Sequence, residues 1–290
     1  MRIAPECLVC SQRQAIEAAR RVAVDETLTW EILSAVGRAM FDLPETTTPA
    51  AATSIAHRIV RRMTGVADPY REAKARHSAV AVELYPALKA LVDRAEDRLL
   101  TALKVAVVGN LIDLGVYSDV ASITEQVWAC LAQDFAIDDY AAFADELGRA
   151  RRVLFVGDNA GEIGFDRVLI EEIGPERVTF VVRQSPVLND ATYEDAVDVG
   201  LDRVVRVITT GDDSAGVDFS RCSAEFLEAY YDADLIVSKG QGNLESLDDR
   251  TEPIYFLLQA KCAAVSRRLG VPLQSLVLMR AGSLFGGHAR

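Results

Sequence analysis

The chain has 290 residues, half of them hydrophobic, and carries 31 Lys and Arg against 43 Asp and Glu. A chain of this length and apolar content can bury one large core, or a core with a smaller satellite domain. The formal net charge of −12 has the wrong sign for a surface that neutralises phosphates, so we expect neither nucleic acid nor a membrane as a partner. An anionic substrate would need a local positive charge, which a divalent metal ion supplies compactly.

No stretch of the sequence reaches the roughly 18 uninterrupted apolar residues of a membrane span. Residues 1–10 also lack the basic and apolar regions of a signal peptide. The five cysteines are too few and too scattered for a disulfide framework. We therefore predict a cytoplasmic protein with reduced thiols.

Cys7 and Cys10 form a lone CxxC motif near the start of the chain. The motif is compatible with half of a zinc site, a redox pair or two small hydrophobic residues, and no second CxxC completes a four-thiolate cage. We favour a structural or redox-sensitive staple of this segment.

The first half of the chain predicts helices, because apolar positions recur at spacings of three and four, as in Ile16, Ala19 and Val22. Breaks rich in Pro, Gly or Asp fall at 43–49, 65–69, 109–118 and near residue 137. We interpret residues 1–150 as a helical domain.

From residue 151 onward, short β-branched runs alternate with amphipathic segments. This alternation predicts an α/β fold with a mainly parallel sheet over residues 151–290, and such sheets bind ligands at the carboxyl ends of their strands. The predicted strands are 153–156, 178–182, 204–208, 235–237 and 276–278, and the predicted helices are 163–173, 193–200, 224–231 and 253–269.

The strongest local signal is the run of polar residues Asp158, Asn159 and Glu162, which follows the first predicted strand directly and precedes a helix. Hard cations such as Mg²⁺ and Mn²⁺ prefer carboxylate and amide oxygens, so the run indicates a metal site. The alternative is that Asp158 or Asn159 caps the helix, which accounts for one of the polar residues. Spacing alone does not separate the two interpretations.

A second aspartate, Asp190, follows the next predicted strand. Neighbouring strand ends of a parallel sheet lie close together, so Asp190 can reach the same cation as Asp158. Taken by itself, a helix cap is the favoured role for Asp190, because Glu194 falls in the first turn of a predicted helix.

A third signal, Lys239, stands at the end of the strand predicted at 235–237 and is followed by Gly240 and Gly242. A lysine beside exposed backbone N–H groups suits a phosphate oxyanion. The GxxxxGK[ST] order of a Walker A motif is absent, and an ordinary turn explains a bare glycine loop more simply. None of the three histidines follows a predicted strand, so a Ser-His-Asp triad and a His-rich zinc site are poorly supported.

Seven blocks in order along the chain resemble the damage-control phosphatase family, known as domain of unknown function 89. The resemblance is to its stand-alone prokaryotic branch with an N-terminal CxxC. The blocks are CLVC from Cys7, GNLID from Gly109, DNAGEIGFD from Asp158, RQSPVLNDATYEDA from Arg183, TGDDSAG from Thr210, SKGQGNLESL from Ser238 and FLLQAKC from Phe256.

This resemblance implies a helical N-terminal domain packed on a Rossmann-like three-layer α/β/α domain, with a divalent cation (Mn²⁺, Mg²⁺, Co²⁺ or Ni²⁺) between them. Asp158, Asn159 and Asp190 would be the metal ligands, and Lys239 would grip a phosphoryl group. Residues 109–113 would bring the helical domain into the site. The residues implied to line the pocket are Asn110, Asp113, Glu162, Asn243 and Glu245.

The activity implied by the resemblance is hydrolysis of phosphate monoesters of small metabolites, such as sugar phosphates or damaged phosphorylated intermediates. Such hydrolysis depends mainly on positioning and charge neutralisation, so we expect Asp158, Glu162 and Lys239 to be catalytic, with a carboxylate orienting the attacking water. Direct attack by Asp158 on phosphorus stays open. The alternatives are a carboxyl methyltransferase on the same fold, and a non-catalytic metabolite-binding or redox-sensing module that uses Cys7 and Cys10. The sequence indicates no protein partner.

Overall fold

The computed structural model describes residues 1–109 and 128–283. Five helices occupy the first of these segments. Several begin where the sequence supplies a side-chain cap: Asp25, Thr48 and Asp97 each accept a hydrogen bond from the backbone N–H three residues later. The helices are α1 (Pro5–Arg21), α2 (Glu26–Phe41), α3 (Pro49–Thr64), α4 (Arg71–Arg94) and α5 (Arg98–Val108).

The second segment alternates strands with helices around one sheet of seven strands. The strands are β1 (Phe135–Asp138), β2 (Val153–Val156), β3 (Val178–Val182), β4 (Arg206–Thr209), β5 (Leu235–Lys239), β6 (Ile254–Gln259) and β7 (Leu276–Arg280). The helices are α6 (Tyr140–Arg149), α7 (Ile163–Ile173), α8 (Tyr193–Asp198), α9 (Ala224–Asp232), α10 (Gly240–Leu247) and α11 (Ala263–Leu269).

The strand order across the sheet is β1-β7-β6-β5-β2-β3-β4. All neighbours pair in parallel except β6 and β7, so β1 and β7 run opposite to the other five strands. After β4 the chain returns past β2 to form β5, which makes the gap between the carboxyl ends of β2 and β5 a topological switch point. Ligands of open α/β sheets bind at such points.

Helices cover both faces of the sheet, which gives the three-layer arrangement. In β2, Val153 and Phe155 pack into a core with α4 to α8, whereas Leu154 and Val156 face the opposite core with α9 to α11. All four residues are buried, as expected for a strand that is covered on both sides. The α/β fold class predicted from the sequence is therefore confirmed.

The predicted boundary at residue 150 stays a prediction. Helices α1 to α3 have a hydrophobic core of their own, while α4 and α5 share the core of the sheet and pack on α7. β1 lies before residue 150 and pairs with β7 at one edge of the sheet. Within the described residues, no helix combines the length and apolar character needed to cross a bilayer.

Two predicted elements are wrong. The helix predicted at 253–269 is a strand followed by a short helix, because the run Ile254–Gln259 is buried between β5 and β7, and an unbroken apolar run fits a buried strand as well as a buried helix. The glycine loop predicted after Lys239 is the first turn of α10, which Gly240 begins with a positive φ of 76°.

Candidate functional site

The loops that follow β2 and β3 are joined by backbone hydrogen bonds. Ala191 N–H donates to Asp158 O at 2.7 Å, and Ala160 N–H donates to Asn189 O at 2.9 Å. Asn159 and Asp190 thereby form an isolated antiparallel bridge at the carboxyl end of a parallel sheet. The structure thus brings Asp158, Asn159 and Asp190 together, although the bridge partners follow different strands of the sheet.

None of these three polar residues caps a helix by its side chain. α7 begins at Ile163 without a side-chain cap, and α8 is capped by Thr192, whose hydroxyl and backbone N–H bond the carboxylate of Asp195. The capping alternative weighed for Asp158, Asn159 and Asp190 is therefore wrong. These side chains are available for another role.

The amino-terminal turn of α10 lies against the carboxylate of Asp158. A methyl group added at Gly240 would overlap both carboxylate oxygens of Asp158, so only glycine permits this approach. The positive end of the helix dipole then faces the carboxyl group of Asp158, an arrangement that favours its ionised form. The switch point thus lies between β2 with its Asp158 loop on one side and β5 with α10 on the other.

A cleft of about 250 Å³ opens over these strand ends. The lining includes the oxygen donors Asp158, Asn159 and Asp190. It also includes three thiols, two from α1 and one from the turn before α11. The residues lining the cleft include Cys7, Cys10, Gln14, Thr53, Asp158, Asn159, Asp190, Gln241, Gly242, Glu245, Lys261 and Cys262.

The carboxylate of Asp158 is in an environment that opposes its ionisation. Burial raises the pKa of Asp158 well above its usual value, and the charges of Asp190 and Glu162 raise it further, while Arg183 and Lys261 act in the opposite direction. A cation placed between the carboxylates would relieve both causes at once. The electrostatics of the cleft therefore favour a bound positive charge.

The side chain of Asn159 is oriented by its neighbours. Its amide nitrogen donates to Asp158 Oδ2 and to Glu162 Oε2, both at 2.9 Å. Because the amide hydrogens are engaged in this way, Oδ1 is the atom of this side chain that can act as a ligand. The other oxygen of Glu162 accepts a hydrogen bond from Lys239.

Lys239 lies beneath the cleft with no exposed surface. Its ammonium donates to Glu162 Oε1 and Asp166 Oδ1, both at 2.5 Å, and to the carbonyl oxygen of Ala106 at 2.9 Å. Burial alone would lower the pKa of Lys239, but the charges of Asp166 and Glu162 raise it, so the ammonium stays protonated. An ammonium group has three hydrogens, and each has an acceptor within the protein.

Arg183 is the second buried cation at this end of the sheet. Its guanidinium donates to Asp190 Oδ2 and to Asn243 Oδ1, both at 2.8 Å, and to the carbonyl oxygen of Gly216 at 3.1 Å. The amide nitrogen of Asn243 donates in turn to the carbonyl oxygens of Gly157 and Lys239. Asn243 is fully buried, so its amide serves the protein interior.

The residues expected at the site therefore separate into two groups. Asp158, Asn159, Asp190, Gly242 and Glu245 line the cleft, and their roles toward a ligand stay predictions. Glu162, Lys239 and Asn243 are buried and bond other protein groups, and their roles toward a substrate also stay predictions. Gly240 serves through its close approach to Asp158. Asn110 and Asp113 lie outside the described residues.

The donors that line the cleft fit a hard divalent cation. Two carboxylates and an amide oxygen suit Mg²⁺ or Mn²⁺, which usually keep several waters and take only one or two carboxylates from the protein. Within the described residues there is no cluster of three or more His, Cys, Asp and Glu suited to a metal ion, so a site here would depend on Asn159 as well.

Sequence reasoning assigned no role to Arg183, Lys261 or Cys262, which all contribute to this region. Arg183 directly follows β3 and is seven residues before Asp190, so an arginine at a buried strand end is the signal that could have identified it. Lys261 and Cys262 follow β6, which was predicted as a helix, and this error hid their place at a strand end.

The five cysteines are all free thiols. Cys7 and Cys10 lie in the first turns of α1 and face the cleft together with Cys262. Burial raises the pKa of both Cys7 and Cys10, so these thiols are protonated at neutral pH.

Comparison with known proteins identifies close relatives of this chain. Residues 3–277 match the model of the damage-control phosphatase ARMT1-like domain. The chain is 34% identical to "Damage-control phosphatase PH1575" of Pyrococcus horikoshii over 97% of this chain and 98% of that protein. It is 35% identical to "Damage-control phosphatase" of Archaeoglobus fulgidus over 96% and 98% of the two chains. The crystal structure of the Pyrococcus horikoshii protein, described as a DUF89 family protein, superimposes with a TM-score of 0.90 at 34% identity, covering 97% of this chain and 99% of that chain.

The substitution Gly240→Ala tests the approach of α10 to Asp158. We expect it to lower both thermal stability and the affinity for Mn²⁺ measured by calorimetry, because the new methyl group displaces the Asp158 carboxylate. Gly65→Ala is the matched control, since Gly65 has a similar φ of 72° with no atom near the added methyl group. The control should cost about 1–2 kcal/mol of stability from backbone strain alone and leave Mn²⁺ affinity unchanged. Equal Mn²⁺ affinities in the two variants would contradict the assignment.

Glu245 makes stability depend on pH. Burial raises the pKa of this carboxyl group to about 8, so the folded state retains a proton that the unfolded chain loses near pH 4.5. The contribution of Glu245 to the free energy of unfolding should therefore fall as pH rises from about 4.5 to about 8. Urea unfolding of Glu245→Gln and the unchanged chain should show a difference in favour of Gln that grows over this interval and is small at lower pH. A difference independent of pH would exclude this role.

Proposed function

The chain belongs to the damage-control phosphatase ARMT1-like family, and from that premise we propose that it is a divalent-metal-dependent phosphatase acting on phosphate monoesters of small metabolites. The substrate class includes sugar phosphates and damaged phosphorylated intermediates. The ion is Mn²⁺, Mg²⁺, Co²⁺ or Ni²⁺, and the protein acts in the cytoplasm.

The observation that carries this proposal is the convergence of two carboxylates and an oriented amide oxygen at the switch point of the sheet. The carboxylates alone would repel a phosphate dianion. Because the net charge of the whole chain is −12, the surrounding field adds to that repulsion. Asp158, Asn159 and Asp190 would hold a cation, and its charge would make this cleft suitable for an anionic ester.

When bound, the metal ion supplies Lewis-acid stabilisation of the phosphoryl oxygens. The protein supplies position and charge around the ester. Asp158 lines the cleft, so its carboxylate is placed to orient a water molecule beside the ester. Lys261 lines the same cleft close enough to lower the pKa of Asp158, so it is the cation we place beside a phosphoryl oxygen.

Glu162 and Lys239 support the site from below. Glu162 holds the amide of Asn159 with one oxygen and the ammonium of Lys239 with the other. Groups that fix the orientation of metal ligands commonly change metal affinity or activity by about 10- to 100-fold when they are altered. We therefore assign Glu162 and Lys239 a positioning role in place of the direct catalytic role suggested by the sequence.

The carboxyl methyltransferase alternative is not favoured by the geometry of this strand end. A nucleotide-type cofactor needs open backbone after the first strand of the switch point. Here the backbone of Asp158 and Ala160 is paired with the neighbouring loop, and Gly157 packs against Phe180. The site is built around side-chain oxygens instead.

Metal-dependent turnover can be tested with p-nitrophenyl phosphate. After removal of metals by a chelator, we expect no hydrolysis, and we expect recovery on addition of Mn²⁺, Mg²⁺, Co²⁺ or Ni²⁺. Asp158→Asn and Asp190→Asn should reduce kcat/KM by more than about 100-fold, beyond the typical effect of residues that only orient ligands. Asp234→Asn is the control. The carboxylate of Asp234 accepts hydrogen bonds from the backbone N–H groups of Arg151 and Arg152, at the amino-terminal ends of the strands and away from the cleft. No turnover with any of these ions would favour the non-catalytic metabolite-binding or redox-sensing module.

The identity of the nucleophile can be tested by a single turnover in ¹⁸O-labelled water. If water attacks phosphorus directly, the label should appear in the released phosphate and none in the protein. If Asp158 attacks, it forms an acyl phosphate, which leaves the label in the Asp158 carboxylate when water cleaves it at the carboxyl carbon but in phosphate when water cleaves it at phosphorus. The acyl phosphate is therefore also trapped by reduction with borohydride during the turnover. Mass spectrometry of the peptide containing Asp158 detects either change, and a labelled or reduced Asp158 would exclude the mechanism that we favour.

A further inference from the structure

Arg183 is almost completely buried yet carries a full charge. The side chain is 2% exposed, and that of its partner Asp190 is 4% exposed. A buried ion pair pays a large desolvation cost, so replacing it with apolar residues is often neutral or even stabilising. Stability alone therefore does not account for an arginine here, and its geometry becomes the relevant property.

The guanidinium of Arg183 joins three separate parts of the chain. It holds the carboxylate of Asp190 in the loop after β3, the carbonyl oxygen of Gly216 in the loop after β4, and the amide oxygen of Asn243 in α10. The backbone N–H of Arg183 also donates to the carbonyl oxygen of Ala191, directly after Asp190. The loop that carries Asp190 is thus fixed from two directions.

Asn243 extends this network to the other side of the cleft. Its amide nitrogen donates to the carbonyl oxygen of Gly157 at 3.1 Å, at the residue immediately before Asp158. It also donates to the carbonyl oxygen of Lys239 at 2.7 Å, at the residue before the glycine that faces Asp158. A continuous chain of hydrogen bonds therefore runs from the Asp190 carboxylate through Arg183 and Asn243 to the backbone beside Asp158.

We propose that Arg183 is a positioning residue that preorganises the cation site, fixing Asp190 directly and the backbone beside Asp158 through Asn243. This inference rests on the proposed function, because it concerns the same metal-binding oxygens. Arg183 orients the carboxylate of Asp190 through its Oδ2 atom. It contacts neither cation nor substrate, so it is a positioning residue and not a catalytic one.

Only arginine among the cationic side chains suits these contacts. Its planar fork presents five N–H donors in fixed directions, and here Nε, Nη1 and Nη2 each serve a different acceptor. Lysine keeps the charge but has a single nitrogen, which cannot reach acceptors in three parts of the chain at once. Arg183→Lys therefore separates the effect of geometry from that of charge.

The test is the affinity of Arg183→Lys for Mn²⁺, measured by calorimetry or by electron paramagnetic resonance on the full chain after removal of metals. We expect a loss of about 10- to 100-fold, the range found when partners that orient metal ligands are altered. In kinetics with p-nitrophenyl phosphate, the Mn²⁺ concentration for half-maximal rate should rise, and kcat at saturating Mn²⁺ should fall less. Wild-type affinity in folded Arg183→Lys would overturn the proposal.

Arg177→Lys is the matched control. Arg177 directly precedes β3, so it lies at the amino-terminal ends of the strands, away from the cleft. Its guanidinium donates to the backbone carbonyl oxygens of Leu147, Ala150 and Ile173. The substitution removes an arginine fork of similar size without touching the cleft. We expect a lower melting temperature with Mn²⁺ affinity within about twofold of wild type, since sites without shared partners act independently. Equal losses of affinity in both lysine variants would show a general loss of stability and overturn the positioning role.

A second variant decides the matter if Arg183→Lys does not fold, as judged by circular dichroism. Asn243→Ser breaks the connection to Gly157 but leaves the pair between Arg183 and Asp190. A loss of Mn²⁺ affinity smaller than that expected for Arg183→Lys would support the proposal, and unchanged affinity would overturn it. If the unsubstituted protein binds none of the four divalent ions, the proposed metal-dependent function fails first. If it binds Mn²⁺ and the variants bind equally well, only the role of Arg183 fails.

Discussion

Several carboxylates lie close together at the carboxyl ends of β2 and β3, and their mutual repulsion is the constraint that the surrounding residues must balance. Asp158, Asp190 and Glu162 lie close enough for the charges of the latter two to raise the pKa of Asp158, and burial raises it further. Left alone, such a group of carboxylates would separate or take up protons. The backbone pairing of Asn159 with Asp190 prevents separation, and two buried cations offset part of the charge.

These two cations, Arg183 and Lys239, point into the protein and not toward a ligand. Each bonds acceptors from several segments and has almost no exposed surface. Their positive charge is therefore used to hold Asp190 and Glu162 in place. A phosphoryl group in the cleft would meet mainly carboxylate and amide oxygens together with Lys261, so its negative charge would be only partly balanced by the protein.

The cleft is lined by two kinds of chemical group that come from distant parts of the sequence. The oxygen donors follow strands of the sheet, whereas Cys7 and Cys10 belong to α1. α3 packs against α10, and the α10 residues Gly242 and Glu245 line the cleft. The helical region thus completes a site whose polar donors the sheet supplies.

The alternation of strands and helices, and the position of each polar cluster at a strand end, could be predicted from the amino-acid sequence. Val153–Val156, Val178–Val182 and Ile163–Ile173 were predicted with the bounds that the structure has. The apolar runs and the Pro, Gly and Asp residues that punctuate them are local signals, so they can be recognised without knowing the fold. The same locality explains why Ile254–Gln259 was misassigned, because an apolar run without alternation fits either a strand or a helix.

Which polar side chains line the cleft and which are buried could be seen only after the fold was known. Lys239 and Asn243 lie in a glycine-rich segment that suggests ligand contact, yet both are buried. The sequence around Arg183 did not predict that its guanidinium would connect the loops after β3 and β4 with α10. The physical reason is that a side chain's role here depends on its partners across the sheet. Those partners are set by strand order and by the path of α10, and no pattern of neighbouring residues encodes either one.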